Sequence, residues 1–140
     1  MASIFTRIIE GELPARFVWK DDVSVAFLSI NPLAPGHTLV VSREEVDHWL
    51  DLDDETASHL MRVSKSIGMA LDRAFDPAKV GLMIAGLEVP HVHLHVVPID
   101  TVHDLDFANA EAEPDPDLLD EAAATIRATL GDLGFAAASG

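Results

Sequence analysis

The chain has 140 residues, 49% of them hydrophobic, and carries a formal charge of −15 from 24 acids against nine bases. That length suits about one domain with a buried core, and a strongly negative field repels polyanions, so nucleic acid is not an expected partner. The absence of cysteine excludes disulfides, thiolate nucleophiles and cysteine-held zinc. No apolar run approaches the ~20 residues of a membrane span and no signal-peptide pattern opens the chain, so a cytoplasmic protein without a membrane partner is expected.

SIFTRII, residues 3–9, reads as a short helix capped by Ser3, with Ile4, Phe5, Ile8 and Ile9 as an apolar stripe that docks on a core or lines a pocket. RFVWK, the turn residues Asp21 and Asp22, and VSVAFLSI predict a β-hairpin. NPLAPG, residues 31–36, interrupts the chain before HTLVV begins another strand. Asp51 or Asp53 caps a long helix running to about Phe75, where Leu60, Ser64, Ile67, Leu71 and Phe75 recur at helical spacing and Asp76 and Pro77 bring it to a stop. KVGLMIAG, residues 79–86, predicts a buried strand antiparallel to the next one.

Residues 104–121 hold eight acids and no base, which reads as a solvated loop. Asp117 then caps a last helix through Leu130, with Leu118, Ala122, Ile126 and Leu130 on one stripe, and the tail GFAAASG reads as frayed. The expected architecture is α+β: a mostly antiparallel sheet of about five strands covered by one long helix and terminal helices. Residues 3–103 form the main domain, and 104–140 supply an acidic loop and a helix packed on it.

The stretch VPHVHLHVVP, residues 89–98, is where chemistry concentrates. In a strand, alternate side chains share a face and repeat about every 6.6 Å, so His91, His93 and His95 line up on one side and Val92, Leu94 and Val96 on the other. His37, His48, His59 and His103 read as surface or packing residues, whereas three imidazoles side by side are costly to bury without a task. Two tasks fit. The H-x-H pair could ligate a metal with Glu88 or His95 as third ligand. Alternatively, a neutral imidazole with an ordinary pKa of about 6.5 could attack phosphorus while its neighbours orient it and donate hydrogen bonds.

HVHLHVVP resembles the His-φ-His-φ-His-φ-φ signature (φ, hydrophobic) of the histidine triad (HIT) superfamily. IFTRIIEGELPARFVWKDDVSVAF resembles its opening helix and hairpin, and INPLAPGHTLVV its next loop and strand, so the likeness spans about residues 3–100. The resemblance implies a homodimeric HIT-like fold whose sheets continue across the dimer. It also implies a nucleotidyl hydrolase or transferase acting on nucleoside phosphoramidates or related mononucleotide derivatives, without metal or other cofactor. By position, His93 corresponds to the nucleophile, His95 to the residue on the phosphate and leaving-group side, and His91 to a supporting member. Ile4, Phe5, Ile8 and Ile30 correspond to the base pocket.

The chain departs from the pattern at several positions. Ser3 and Thr6 stand where many bacterial members carry zinc-binding cysteines, and Glu45 stands where they carry a histidine, which argues against zinc. Glu45 also occupies the place of a fourth histidine near the triad in the family pattern, with His48 as a substitute if its loop bends toward the site. Ser29 replaces the usual ribose-binding acid, Leu87 a glutamine, and Glu88 falls at a phosphate-contacting position beside Val89. A carboxylate beside a phosphate is repulsive unless it points away or is protonated. These departures keep alternatives open: a non-catalytic mononucleotide-binding module, or a protein with a histidine-held metal.

Overall fold

A computed structural model of the chain describes residues 2–137. Three α-helices and five strands follow in the order α1 (Ile4–Ile9), β1 (Phe17–Lys20), β2 (Ser24–Leu28), β3 (Thr38–Ser42), α2 (Asp54–Phe75), β4 (Lys79–Met83), β5 (His93–Ile99) and α3 (Pro116–Asp132). The strands form one antiparallel sheet in the order β1-β2-β3-β5-β4, as an α+β chain with neighbouring hairpins should.

Each helix starts where a side chain can take up an orphan amide. The Ser3 hydroxyl accepts from Thr6 N, Asp53 from Thr56 N and Asp115 from Asp117 N. The last of these differs from expectation: Asp115 is the cap, because Pro116 at the first helical position needs no partner for its missing N–H. Asp76, in a left-handed conformation at φ 48°, closes α2 ahead of Pro77.

Alternation along the strands divides the interior in two. On one face Val18, Ala26, Val40, Leu94 and Val96 pack beneath α2 and α3, against Leu60, Ile67, Leu71, Ile126 and Leu130. On the other, Val25, Phe27, Leu39 and Val41 pack beneath α1, against Phe5 and Ile8. Asp21 fastens the β1–β2 turn to α2: it accepts from Trp19 Nε1, Val23 N, Ser24 N and His59 Nε2 at 2.7–2.8 Å. Partial burial opposes ionisation of Asp21, but these bonds outweigh it and lower its pKa to about 2. His59 is accordingly a packing residue.

Four further expectations change, the first being that β4, expected as a buried strand over residues 79–86, ends at Met83 and lies at the sheet edge with none of its residues buried. The acidic stretch is not a free loop, since Val102–Leu105 and Phe107–Asn109 form 3₁₀ turns, Glu111 N donates to Pro32 O, and Asn31 Nδ2 donates to Glu111 O and Ala112 O. Its backbone is anchored while most of its carboxylates face water. The tail is likewise held through residue 137: Phe135 tilts onto Trp19 at 5.7 Å and Lys20 N donates to Ala137 O at 3.0 Å. Residues 138–140 of the tail lie outside the described residues. Leu118, expected on the buried stripe of α3, is 64% exposed.

Candidate active site

His93 and His95 belong to β5, and His91 sits two residues before His93, just ahead of the strand. All three rings are buried on the α1 face, with Phe5 edge-on to His91 at 5.8 Å and to His93 at 4.9 Å. Val92, Leu94 and Val96 point into the opposite core. The period-two reading of this stretch therefore holds, extended one pair beyond the regular strand.

Hydrogen-bond partners assign each ring its tautomer. His91 Nε2 donates to Ser42 O at 2.6 Å, leaving Nδ1 to accept from the Ser3 hydroxyl at 2.7 Å. Burial lowers the His91 pKa, opposed by the Ser42 carbonyl and the Glu45 charge. Both nitrogens of His91 are engaged and the ring is fully enclosed, so it presents no free lone pair to the pocket. Its carbonyl accepts from His93 Nδ1 at 2.7 Å, so in the neutral His93 ring the lone pair is on Nε2, which borders the pocket.

A further histidine completes the row. His37, at the head of β3, is buried; its Nδ1 accepts from Leu33 N at 3.0 Å and its Nε2 lies 3.0 Å from His95 Nδ1. Since Nδ1 is an acceptor, the neutral His37 ring donates through Nε2, and His95 must carry its own proton on Nε2. That atom is buried and makes no hydrogen bond, although Glu88 Oε1 is 3.4 Å away. Burial, reinforced by the charges of His95 and His93, lowers the His37 pKa to about 3, and burial plus His93 lowers that of His95 to about 4 against the pull of Glu88. Both rings are neutral at pH 7, and His95 presents an unused donor.

Gly36 makes this placement possible. At φ 95°, a Cβ there would come within 2.7 Å of the Phe75 ring, so only glycine lets the NPLAPG loop pass under the end of α2 and deliver His37 to the strand. The fourth-histidine place assigned to Glu45, with His48 as substitute, is corrected: His48 caps the 3₁₀ turn Trp49–Asp51 by accepting from Leu50 N, and His37 is the histidine beside the triad.

Glu45 instead belongs to a small network. Its carboxylate accepts from Ser3 N at 2.6 Å and from the Thr6 hydroxyl at 2.7 Å, bonds that lower its pKa to about 2. The four positions Ser3, Thr6, Glu45 and His91 thus converge, as the resemblance requires, but they offer two hydroxyls, a carboxylate and one imidazole nitrogen already in use. That is a poor donor set for zinc.

Glu88 Oε1 lies 2.6 Å from His93 Nε2. Because His93 Nδ1 donates to a carbonyl, a proton must be shared between Nε2 and the carboxyl; two lone pairs would otherwise face each other. Burial opposes ionisation of Glu88, yet the bonds from His93 and from its own backbone amide outweigh that and keep its pKa below the usual carboxylate range. Glu88, His93 and His95 offer ligand atoms within 4.8 Å of one another. A metal ligand must present a lone pair and direct its other ring N–H to an acceptor. His93 satisfies that condition, but His95, which holds its proton on Nε2, does not. Two ligands remain, too few for a tight site.

The pocket over these groups has a volume of about 480 Å³. Every predicted nucleotide-binding residue borders it: Ile4, Phe5, Ile8, Ser29, Ile30, Glu88 and Val89, with His93 and His95. His91 stays behind the wall. Sequence reasoning missed Phe27 and Leu39, legible in hindsight from alternation along β2 and β3, as well as His37 and Phe107. The Phe107 ring meets His95 edge-on at 5.1 Å, and nothing in its acidic surroundings signals this.

Comparison with known proteins matches the geometry. The HIT domain model matches residues 10–102. A HIT-like protein of Borreliella burgdorferi is 42% identical over 102 residues, covering 68% of this chain and 73% of the relative. An adenosine 5′-monophosphoramidase of Schizosaccharomyces pombe is 30% identical over 70% of this chain and 74% of its own. A crystallised HIT-like protein from Bartonella henselae superposes with TM-score 0.81 at 32% identity, covering 91% of this chain and 95% of the other. The chain belongs to the HIT family, a family of nucleotide-binding hydrolases and transferases. Among the described residues no helix is long and apolar enough to cross a membrane.

Proposed function

We propose that this chain hydrolyses or transfers mononucleotide groups, with purine nucleoside phosphoramidates as substrates and His93 as nucleophile. The observation that carries this reading is the bond from His93 Nδ1 to the His91 carbonyl, which directs the Nε2 lone pair toward the pocket. The apolar wall of Ile4, Phe5, Ile8 and Phe27 suits a flat base, and His95 Nε2 is a preorganised donor for a phosphoryl oxygen or the leaving group. In the first step the proton that Nε2 shares with Glu88 passes to the departing amine as a bond forms from Nε2 to phosphorus and the phosphorus–nitrogen bond of the substrate breaks. In the second, water adds to phosphorus, the bond to Nε2 breaks, and water gives up one proton. The named activity of the fission yeast relative supports the substrate class.

The test is AMP release from adenosine 5′-phosphoramidate. His93→Ala should lower turnover by at least about 10³-fold while the protein stays folded; equal rates would remove His93 from the chemistry. A second reading, a module that binds mononucleotides without turnover, draws on Glu88 standing against His93 Nε2. Calorimetric binding of AMP without catalysis would select it.

We further propose that two copies pair along β4. It is the edge strand of the sheet, and beside it Met61, Met69 and Leu82, all 41–54% exposed, border a groove that also contains Ser64. The Ser64 hydroxyl is buried without a partner, as befits a group awaiting one. Light scattering should give the mass of two chains, and Leu82→Lys should shift it to one; a monomeric wild type at about 50 μM would refute pairing.

A further inference from the structure

We propose that Glu88 sorts ligands by the charge on phosphorus: its carboxylate occupies the place a phosphoryl group must take to reach His93 Nε2, so the site favours a singly charged phosphorus centre with a neutral or cationic leaving group and expels the dianionic monophosphate it makes. This rests on the reading of His93 as nucleophile and goes beyond it by naming which phosphorus compounds the site admits.

Three observations converge. Glu88 Oε1 is 2.6 Å from His93 Nε2 and 3.4 Å from His95 Nε2, so a phosphoryl oxygen that bridged these two rings would take the carboxylate's position. The Glu88 side chain is 47% exposed, which leaves it free to rotate outward while remaining close. The pocket lining contains no lysine or arginine to offset a second negative charge, and the chain as a whole carries −15. The donor facing the phosphate is the neutral His95 Nε2–H. One negative charge on phosphorus can replace the carboxylate against that donor. A second must be held beside a displaced carboxylate with only the one proton shared by Glu88 and His93 to offset these charges and no lysine or arginine in the lining, and Coulomb repulsion across a few ångströms of partly screened medium costs a substantial part of the affinity.

Di- and triphosphate nucleotides are disfavoured on the same ground. A phosphoramidate or phosphodiester, with one ionisable oxygen, is admitted. After hydrolysis the monophosphate gains its second charge, since the second phosphate pKa is about 6, and it leaves.

The experiment compares AMP with its methyl ester, a singly charged analogue whose methoxide leaves poorly, by calorimetry at about pH 8 on wild type and Glu88→Gln. Wild type should bind the ester at least about tenfold more tightly than AMP, and Glu88→Gln should bring the two within about threefold, chiefly by tightening AMP. Glu88→Ser, a smaller uncharged variant, should behave like Glu88→Gln, and thermal melting of both variants checks that they are folded. An equal preference in wild type and both variants overturns the proposal. So does a wild type that shows no preference yet still releases AMP from the phosphoramidate, in which case the nucleophile reading survives alone. Absence of binding and of turnover in every protein overturns both.

Discussion

The two faces of the sheet are built from the same five strands by opposite rules. Beneath α2 and α3 the core cluster is hydrophobic, mostly aliphatic with Trp19 among it, and free of ionisable groups; beneath α1 four imidazoles, two hydroxyls and two carboxyls border or share the interior with Phe5 and Phe27. β5 serves both, sending Leu94 and Val96 one way and His93 and His95 the other. The contrast shows how a small domain can carry a costly polar site: each buried nitrogen on the α1 face is matched to a named partner, apart from the one aimed into the pocket, while the aliphatic face supplies stability that does not depend on those bonds.

The contrast would break most sharply at Leu71, which is fully buried beneath the sheet. Leu71→Ala should cost about 2–5 kcal/mol and lower Tm by on the order of 10 °C, with the turnover of the folded fraction unchanged. A fall in both together would show that the faces are coupled.

On the α1 face the largest effect outside His93 should come from His37. His37→Phe keeps the ring shape but removes the donor that sets the His95 tautomer; turnover should fall about 10- to 100-fold. His37→Gln, whose amide both accepts and donates, should recover much of it. Equal rates for the two variants would mean that the tautomer is set elsewhere.

Acid should weaken the α1 face selectively. Unfolded histidine titrates near 6.5, whereas His37 and His95 are lowered to about 3 and about 4 in the folded protein. Between pH 6.5 and 4.5 the unfolded chain therefore binds more protons, and stability falls as pH falls. Denaturant midpoints should drop steadily across that window, and His37→Phe should flatten the slope.

The smallest effect belongs to Ser3→Ala, which removes the cap of α1 and the donor to His91 Nδ1. A loss of about 1 kcal/mol should appear in urea midpoints, with a modest change in turnover through His91.

How much of this was legible in the sequence depends on whether a feature is local. The strand period of HVHLHVV, the caps Ser3 and Asp53, and the Asp76-Pro77 stop are written within a few residues, and each predicted its element. Ile4, Phe5, Ile8, Ile30 and Val89 of the pocket wall followed from the family pattern, whereas Phe27, Leu39 and Phe107 did not. His37 was missed because its relation to His95 is set by the β3–β5 register, in which Leu39 lies opposite His95, across 58 residues of chain. The direction of Glu88 depends on a loop whose sequence does not fix it. The acidic segment misled because composition reports on side chains, whereas its anchoring to Asn31 and Pro32 is made largely by backbone carbonyls and amides.

The end of the chain bears on how the sheet can grow. Along β1 the outward amide of Lys20 is taken by Ala137 O, and the outward carbonyl of Phe17 by Arg127 Nη1. Those two groups are no longer available to template another strand, while β4 stands at the other edge of the sheet, paired only with β5. A sheet obstructed at one edge and open at the other is extended most readily once, by a copy meeting it edge to edge. Growth into fibres, which needs an open margin at each end of every unit, is hindered by the same two contacts.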